Sequence, residues 1–335
     1  GYKHEVEESR VIKLLLNNVF VNEVTEGAEC KIIFDKTPFY AESGGQVEDT
    51  GAGATETAEI EITGVEKFKS IFLHSSRVKK GIIREGDVVQ LAIDRERRGK
   101  IEKNHSATHL LHAALQSVLG DHVVQKGSLV NEHKLRFDFS HNKPLTDLEL
   151  KEVELRVNKW IWENYKVEIK QMNYQDAISS GAMALFNENY GDKVRVVNFG
   201  GVSVELCGGT HVKSTNAIEI FLITQEGSAA KGIRRIEAVS GIIAYQQIVN
   251  TRDLVKSVTS YLSCTSENLL NTVRKLKNSK SNLNTIPLKS TPAQIFTKEE
   301  IRELHDGIKL FNGQSEQDII TVQSKLEQMI SNKIC

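Results

Sequence analysis

The sequence predicts an α+β protein: a small antiparallel β-barrel, a mixed α+β domain after it, and a helical C-terminal region. Three observations carry this. Residues 20–95 hold short β-branched runs broken by glycine; residues 96–245 mix helical and strand patterns without strict alternation; residues beyond about 240 turn helical. The expected domains are therefore 1–95, 96–245 and 246–335, with a linker at 279–297.

Residues 1 to about 20, acidic at the start, read as a short charged helix. The runs Cys30–Phe34, Glu59–Ile62, Ser70–Leu73 and Val88–Ile93 read as strands of a barrel, with a sandwich as the alternative. The character changes at Asp94. Leu110, Leu111, Ala114, Leu115 and Val118 have helical spacing, and Gly120 ends that helix. Lys134–Phe139 alternates as a strand, and Thr146 with Glu149 forms a capping-box pattern for a helix running to Asn164. Strands are expected near 167–171, 193–199, 202–206 and 218–224, with a Gly-rich segment after 226. Residues 279–297, rich in Ser, Asn, Thr and Pro, read as the linker. Capping boxes at Thr297–Glu300 and Ser315–Asp318, with Ile319, Val322, Leu326 and Met329 at three–four spacing, suggest a helical hairpin, which could also support oligomers.

The 335 residues carry 43 basic and 44 acidic side chains, so any nucleic-acid contact must use a local patch. No apolar run approaches the roughly 20 residues of a membrane span, and the N-terminal stretch lacks the pattern of a signal peptide. Four cysteines, Cys30, Cys207, Cys264 and Cys335, lie far apart. They do not resemble a disulfide framework and suit the reducing cytoplasm, where a cysteine near histidines is free to bind metal.

Two pairs suggest such a site. His105-Ser-Ala-Thr-His109 puts two imidazoles at i and i+4 on one helix face, and Cys207-Gly-Gly-Thr-His211 puts a thiol and an imidazole on a tight turn. Together they supply three imidazoles and one thiolate, an ordinary set for one zinc ion; the plain alternative is a packed core pair on each segment. A metalloprotease helix would carry glutamate where Ser106 stands, and the nucleobase deaminases need a Cys-x-x-Cys that is absent.

These motifs resemble the alanyl-tRNA synthetase editing domain. So do Thr37-Pro-Phe-Tyr-Ala-Glu-Ser-Gly-Gly-Gln46, Gln125-Lys-Gly-Ser128, Leu135-Arg-Phe-Asp-Phe-Ser-His141, Gly181-Ala-Met-Ala-Leu-Phe186 and Gly232-Ile-Arg-Arg-Ile-Glu-Ala238. The resemblance covers residues 1 to about 245. It implies a zinc-binding editing domain that hydrolyses tRNA(Ala) mischarged with serine or glycine. His105, His109, Cys207 and His211 would be its zinc ligands, Thr108 and Gln125 would line its catalytic pocket, and Gly44, Gly45 and Gln46 would contact substrate. The partners implied are the acceptor end of tRNA(Ala) and the rest of a synthetase chain, whose class II catalytic domain is not in this sequence. The Phe39–Gln46 segment is closer to the synthetase than to free-standing trans-editing deacylases, and threonyl-tRNA synthetase editing domains do not account for it. A zinc-stabilised tRNA-binding module without hydrolysis is the alternative from another class.

A four-ligand ion lacks the open position of a catalytic zinc, so the ion is expected to hold the substrate amine rather than activate water. Thr108 or Gln125 would hydrogen-bond the serine hydroxyl, leaving their polar groups unpaired with alanine; back-bonding of Thr108 to its own helix and a surface position for Gln125 are the plain alternatives. RNA contact is expected from Arg95, Arg97, Arg98, Lys100 and Lys103, and from Lys231, Arg234 and Arg235, although the interleaved Asp94, Glu96 and Glu102 also fit a solvated face. Asp138, flanked by Phe137 and Phe139, is expected to pair with an arginine rather than act with His141 as acid and base.

Overall fold

The computed structural model describes residues 5–183 and 192–283. Two compact units are present, Gly1–Leu254 and Val255–Cys335. The first opens with β1 (Val6–Leu16), β2 (Val19–Val21), β3 (Glu23–Thr25), β4 (Glu29–Phe34), β5 (Gly51–Ala54), β6 (Glu59–Phe68), β7 (Ile71–Lys80), β8 (Ile82–Arg84) and β9 (Val88–Ile93). Six of these strands close into an antiparallel barrel in the order β1-β4-β7-β6-β5-β9, sealed by pairing of β9 with β1. Strand β1 serves both ends of the ring. Its first half pairs with β9 and its second half with β4, with a register shift between Val11 and Lys13 that bends it from one neighbour to the other.

The helix expected over residues 1–20 is therefore corrected to a strand. Ser9 and Val11 point inward with exposed Glu8 and Arg10 alternating with them, which is period-two burial. The signal was Asn17-Asn18, whose φ values of 51° and 63° form the tight turn into β2; asparagine tolerates that left-handed region better than most residues. The barrel interior is filled by Leu14, Ile32, Ile60, Ile62, Val78, Ile83, Val89 and Leu91. Strand β5 runs so close to its neighbours that a Cβ at Gly51 would lie 2.1 Å from the Ala92 carbonyl oxygen.

The α+β part follows: α1 (Arg95–Leu119), β10 (Gln125–Val130), β11 (Leu135–Ser140), α2 (Asp147–Trp162), β12 (Val167–Asn173), α3 (Tyr174–Ser179), β13 (Lys193–Phe199), β14 (Val204–Leu206), β15 (Phe221–Ala230) and β16 (Ile233–Ser240). Asp94 caps α1 by accepting from the Arg97 N–H, and Gly120 ends it at φ 112°. Thr146 and Glu149 form the reciprocal capping box of α2. One sheet has the order β10-β11-β16-β15 and a second has β12-β13-β14. Strand β16 was not expected; Gly232, at φ 72°, turns β15 back into it, so the glycine marks a hairpin rather than a loop.

Helix α1 is buried between these layers. Ile101, Leu110, Leu111, Ala114 and Leu115 pack with Phe137, Phe139, Phe199 and Phe221, and with Val153 and Val157 of α2. Helix α4 (Gly241–Tyr261) follows, then α5 (Leu269–Leu283), giving five α-helices among the described residues. The linker expected at 279–297 begins inside α5; its remainder, the two later capping boxes and the Ile319–Met329 pattern lie outside the described residues. No described helix is long and apolar enough to cross a membrane.

Candidate metal centre

The middle of α1 presents His105, His109 and His112 on one buried face. The strand–turn after β14 brings Cys207 and His211 against it. Donor atoms of His105, His109, Cys207 and His211 all lie within 4.8 Å of one another, so the two sequence pairs converge on one point that can hold a metal ion. Cys207 Sγ is 3.5 Å from His105 Nε2 and 3.3 Å from His211 Nε2.

The turn that achieves this tolerates no side chain at its second glycine. A Cβ at Gly209 would sit 1.9 Å from His105 Cε1 and 2.3 Å from its Nδ1. Arg195, on β13, ties the turn down by donating from Nη1 to the carbonyls of Cys207 (2.7 Å) and Gly209 (2.8 Å).

Each imidazole is gripped on the ring nitrogen facing away from the cluster. His105 Nδ1 meets Gln46 Oε1 at 2.5 Å, His109 Nδ1 meets Glu205 Oε2 at 2.8 Å, and His211 Nδ1 meets Ser106 Oγ at 3.2 Å. A carboxylate and an amide oxygen can only accept, so Nδ1 carries the proton in His105 and His109 and leaves Nε2 as the free donor pair. His109 Nε2 is fully buried with no hydrogen-bond partner among the described residues. An orphaned buried imidazole nitrogen costs free energy unless something binds it, and a cation held with the Nε2 atoms of His105 and His211 and the Cys207 thiolate satisfies it.

Charge gathers at the same point. Burial would lower the His109 pKa, but the charges of Glu205 and Cys207 outweigh it and raise it to about 10, so a cation binding at Nε2 displaces a proton there. Burial raises the Cys207 thiol pKa, but His105, His211 and His109 outweigh it and hold the group well below its usual range, as a thiolate ligand requires. Burial alone would raise Glu205; the imidazoles of His109 and His112 instead hold it at about 2. Burial pushes His211 down to about 3 despite the nearby thiolate, which keeps it a neutral donor.

Beside the cluster is a cleft of about 480 Å³ lined by Arg98, Glu102, Ile169, Gln171, Arg195, Thr210 and His211. Burial in its wall raises the Glu102 carboxyl to about 7.

Comparison with known proteins fits this geometry. The family model for class II (A) tRNA synthetases matches residues 1–97, and the model for the threonyl and alanyl tRNA synthetase second additional domain matches residues 194–237, which include Cys207 and His211. The alanine–tRNA ligase of Thermotoga maritima is 42% identical over 316 residues, 93% of this chain and 36% of that protein. Those of Listeria monocytogenes (46% over 268 residues; 80% and 30%) and Xanthomonas campestris (45% over 278 residues; 82% and 32%) match similarly. The chain belongs to the alanyl-tRNA synthetase family. It spans about a third of the length of these relatives.

In this alanyl-tRNA synthetase family member, the other expected site residues make most of their contacts within the fold. Gln46, expected to contact substrate, is fully buried, and its Oε1 accepts from the Thr210 N–H as well as meeting His105. Gly45, at φ 83°, lies so close to β10 that a Cβ would be 2.4 Å from Ser128 Oγ; Gly44, at φ 58°, has open space around it. Thr108 donates to the Asn104 carbonyl at 2.9 Å, the back-bond that was its plain alternative, while its oxygen keeps lone pairs to accept with. Gln125 is buried rather than on the surface, and donates to Ser128 Oγ at 3.1 Å. Neither Thr108 nor Gln125 lines the cleft beside His211.

The basic residues are mostly committed. Arg98 is buried and forms a two-pronged ion pair with Asp49, and it lines the cleft beside His211. Arg97 donates to Glu132 and the Glu48 carbonyl, and Arg234 is nearly buried against Glu226, so neither presents a free guanidinium. Arg95, Lys100 and Lys103 pair with Glu5, Glu96 and Glu219. Arg235 forms a bidentate pair with Asp138, both bonds 2.7 Å, as expected for Asp138, and stays partly exposed. Sequence reading missed Glu205, Arg195 and the supporting role of Gln46. Only the nearness of Glu205 to Cys207 in sequence could have pointed to it.

Proposed function

We propose that this chain carries the editing activity of an alanyl-tRNA synthetase: hydrolysis of the ester that joins serine or glycine to the terminal ribose of tRNA(Ala), at a centre holding one zinc ion. The observation that carries the reading is the convergence of His105, His109, Cys207 and His211, with His109 Nε2 orphaned, in a chain of this family. Three imidazoles and one thiolate are a zinc donor set, and the 3.3 and 3.5 Å sulfur–nitrogen separations match the edge of about 3.5 Å expected for tetrahedral bonds of about 2.3 and 2.0 Å. When bound, the ion supplies Lewis acidity at the ester or its amine.

The chain's own residues do the rest. Gln46, Glu205 and Ser106 keep the imidazoles facing inward. Thr108, its proton given to Asn104, offers an oxygen that accepts the hydroxyl proton of a seryl group, and Gln125 is the second candidate for that contact. Alanine makes neither bond and is held less well than serine; the hydroxyl contact accounts for serine and not for glycine, which also lacks it. Gly44, with open space around it, lets the acceptor end approach the backbone closely, and exposed Lys231 beside the Asp138-paired, partly exposed Arg235 provides positive charge for its phosphates. The remainder of a synthetase and the acceptor end of tRNA(Ala) are the proposed partners.

A filled four-donor shell is also what a structural zinc has, which favours the binding-module reading as the alternative. Incubating the zinc-assayed chain with Ser-tRNA(Ala) and Ala-tRNA(Ala) separates the two. Release of serine but not alanine, abolished by Cys207→Ala, is the expected result. Bound zinc with no serine released would leave the binding module.

A further inference from the structure

The most deeply buried acid near the centre, Glu205, is no metal donor, yet it is shared by two histidines. Its Oε2 accepts from His109 Nδ1 at 2.8 Å, and its Oε1 lies 3.3 Å from His112 Nδ1 and accepts from Ser203 Oγ at 3.0 Å. All three side chains that touch it are at least nine-tenths buried, and Glu205 itself is 1% exposed. A buried carboxylate is costly unless its charge is answered nearby.

The charge count says what answers it. A dication bound by one thiolate and three neutral imidazoles keeps one positive charge, and one ionised carboxylate cancels it. His112, the third histidine of the α1 face, stands outside the donor group. Its Nε2 has no partner among the described residues and its ring packs on Phe137. Among the described residues its one polar side-chain contact is to Glu205.

We infer that Glu205 is the charge-balancing positioning residue of the metal centre: it fixes His109 with Nε2 toward the ion and neutralises the bound dication, while His112 and Ser203 hold the carboxylate in place. This rests on the zinc reading above but not on deacylation. The same position is served in many metal sites by a carboxylate behind a ligating histidine, and losing it weakens metal binding without removing a ligand.

The test is zinc affinity of the full chain by chelator competition, together with the visible spectrum of the cobalt-substituted protein. Glu205→Gln keeps the shape and removes the charge; zinc binding is expected to weaken about 10- to 100-fold, with the cobalt bands displaced but still those of a four-coordinate ion. His112→Phe is expected to cost less, and to add nothing to Glu205→Gln, because it acts through that carboxylate. Glu205→Asp, which restores the charge on a shorter arm, should recover part of the loss. Affinity of Glu205→Gln within about twofold of the parent, or a His112→Phe effect that adds in full to it, overturns the inference. If Glu205→Gln does not fold, His112→Phe and Glu205→Asp decide: unchanged affinity and spectrum in both overturns it. A chain that shows these shifts yet leaves Ser-tRNA(Ala) intact refutes the deacylase reading and leaves this one standing.

Discussion

Two buried histidine environments in one compact unit invite comparison. His74 lies in the barrel, fully buried, with both ring nitrogens engaged: Nδ1 meets the Ile32 carbonyl at 3.1 Å and Nε2 meets Thr37 Oγ1 at 2.8 Å. Phe34 and Phe39 pack edge-on against its ring. His109 is almost as buried, but only its Nδ1 is engaged, and its Nε2 faces two other imidazoles and a thiol. The first is a core histidine whose polar atoms are satisfied by the fold. The second is satisfied by the fold on one side only. Burial alone does not separate a packing histidine from a ligand, and neither does an orphaned nitrogen, which His112 shares; the convergence of other donor atoms on the ring does.

The largest expected difference lies at the metal. Stripping the ion should lower the unfolding free energy by about 4 kcal/mol where free zinc stands a thousandfold above its dissociation constant. The loss should persist in His74→Gln and vanish in Cys207→Ala, as read by denaturant unfolding with and without chelator. Gly209→Ala should also abolish it, since the added carbon collides with the His105 ring.

The next effect separates the two environments by pH. Burial holds His74 at about 4 against an ordinary 6.5. The unfolded chain therefore takes up a proton between pH 6.5 and 4 that the folded barrel refuses. This contribution is complete above about pH 6.5 and falls by about 3 kcal/mol as pH drops to 4. In His74→Gln that part of the slope should disappear from stability measured across the same range.

Smaller effects test the pocket and the frame. Thr108→Val removes the acceptor for a serine hydroxyl; serine release should slow about 10- to 100-fold with zinc content unchanged. If instead zinc is lost, Thr108 belongs with the structural support of the cluster. Thr146→Ala, at the cap of α2, should cost about 1 kcal/mol and leave zinc affinity alone.

How far the sequence could be read follows the same division. The barrel strands and α1 were legible because their apolar residues repeat at periods of two and about 3.6 and because Asp94 and Gly120 mark the helix ends. The four side chains of the candidate metal centre are legible as two spaced pairs, which the fold brings together. What is not periodic was lost. The charged opening strand β1 was read as a helix because its alternation shifts at a bulge. The carboxylate of Glu205, Arg195 under the turn and the amide of Gln46 act through contacts with residues 12 to 96 positions away. Arginines clustered in sequence suggested RNA, but folding spends Arg98 on Asp49, 49 positions away. Composition shows charge and not where its partners fall.

The most direct test of the central claim is zinc X-ray absorption on the purified chain. The account predicts one zinc per chain with three nitrogens at about 2.0–2.1 Å and one sulfur at about 2.3 Å, the sulfur lost in Cys207→Ala. No bound zinc, or a shell of nitrogen and oxygen without sulfur, would contradict it.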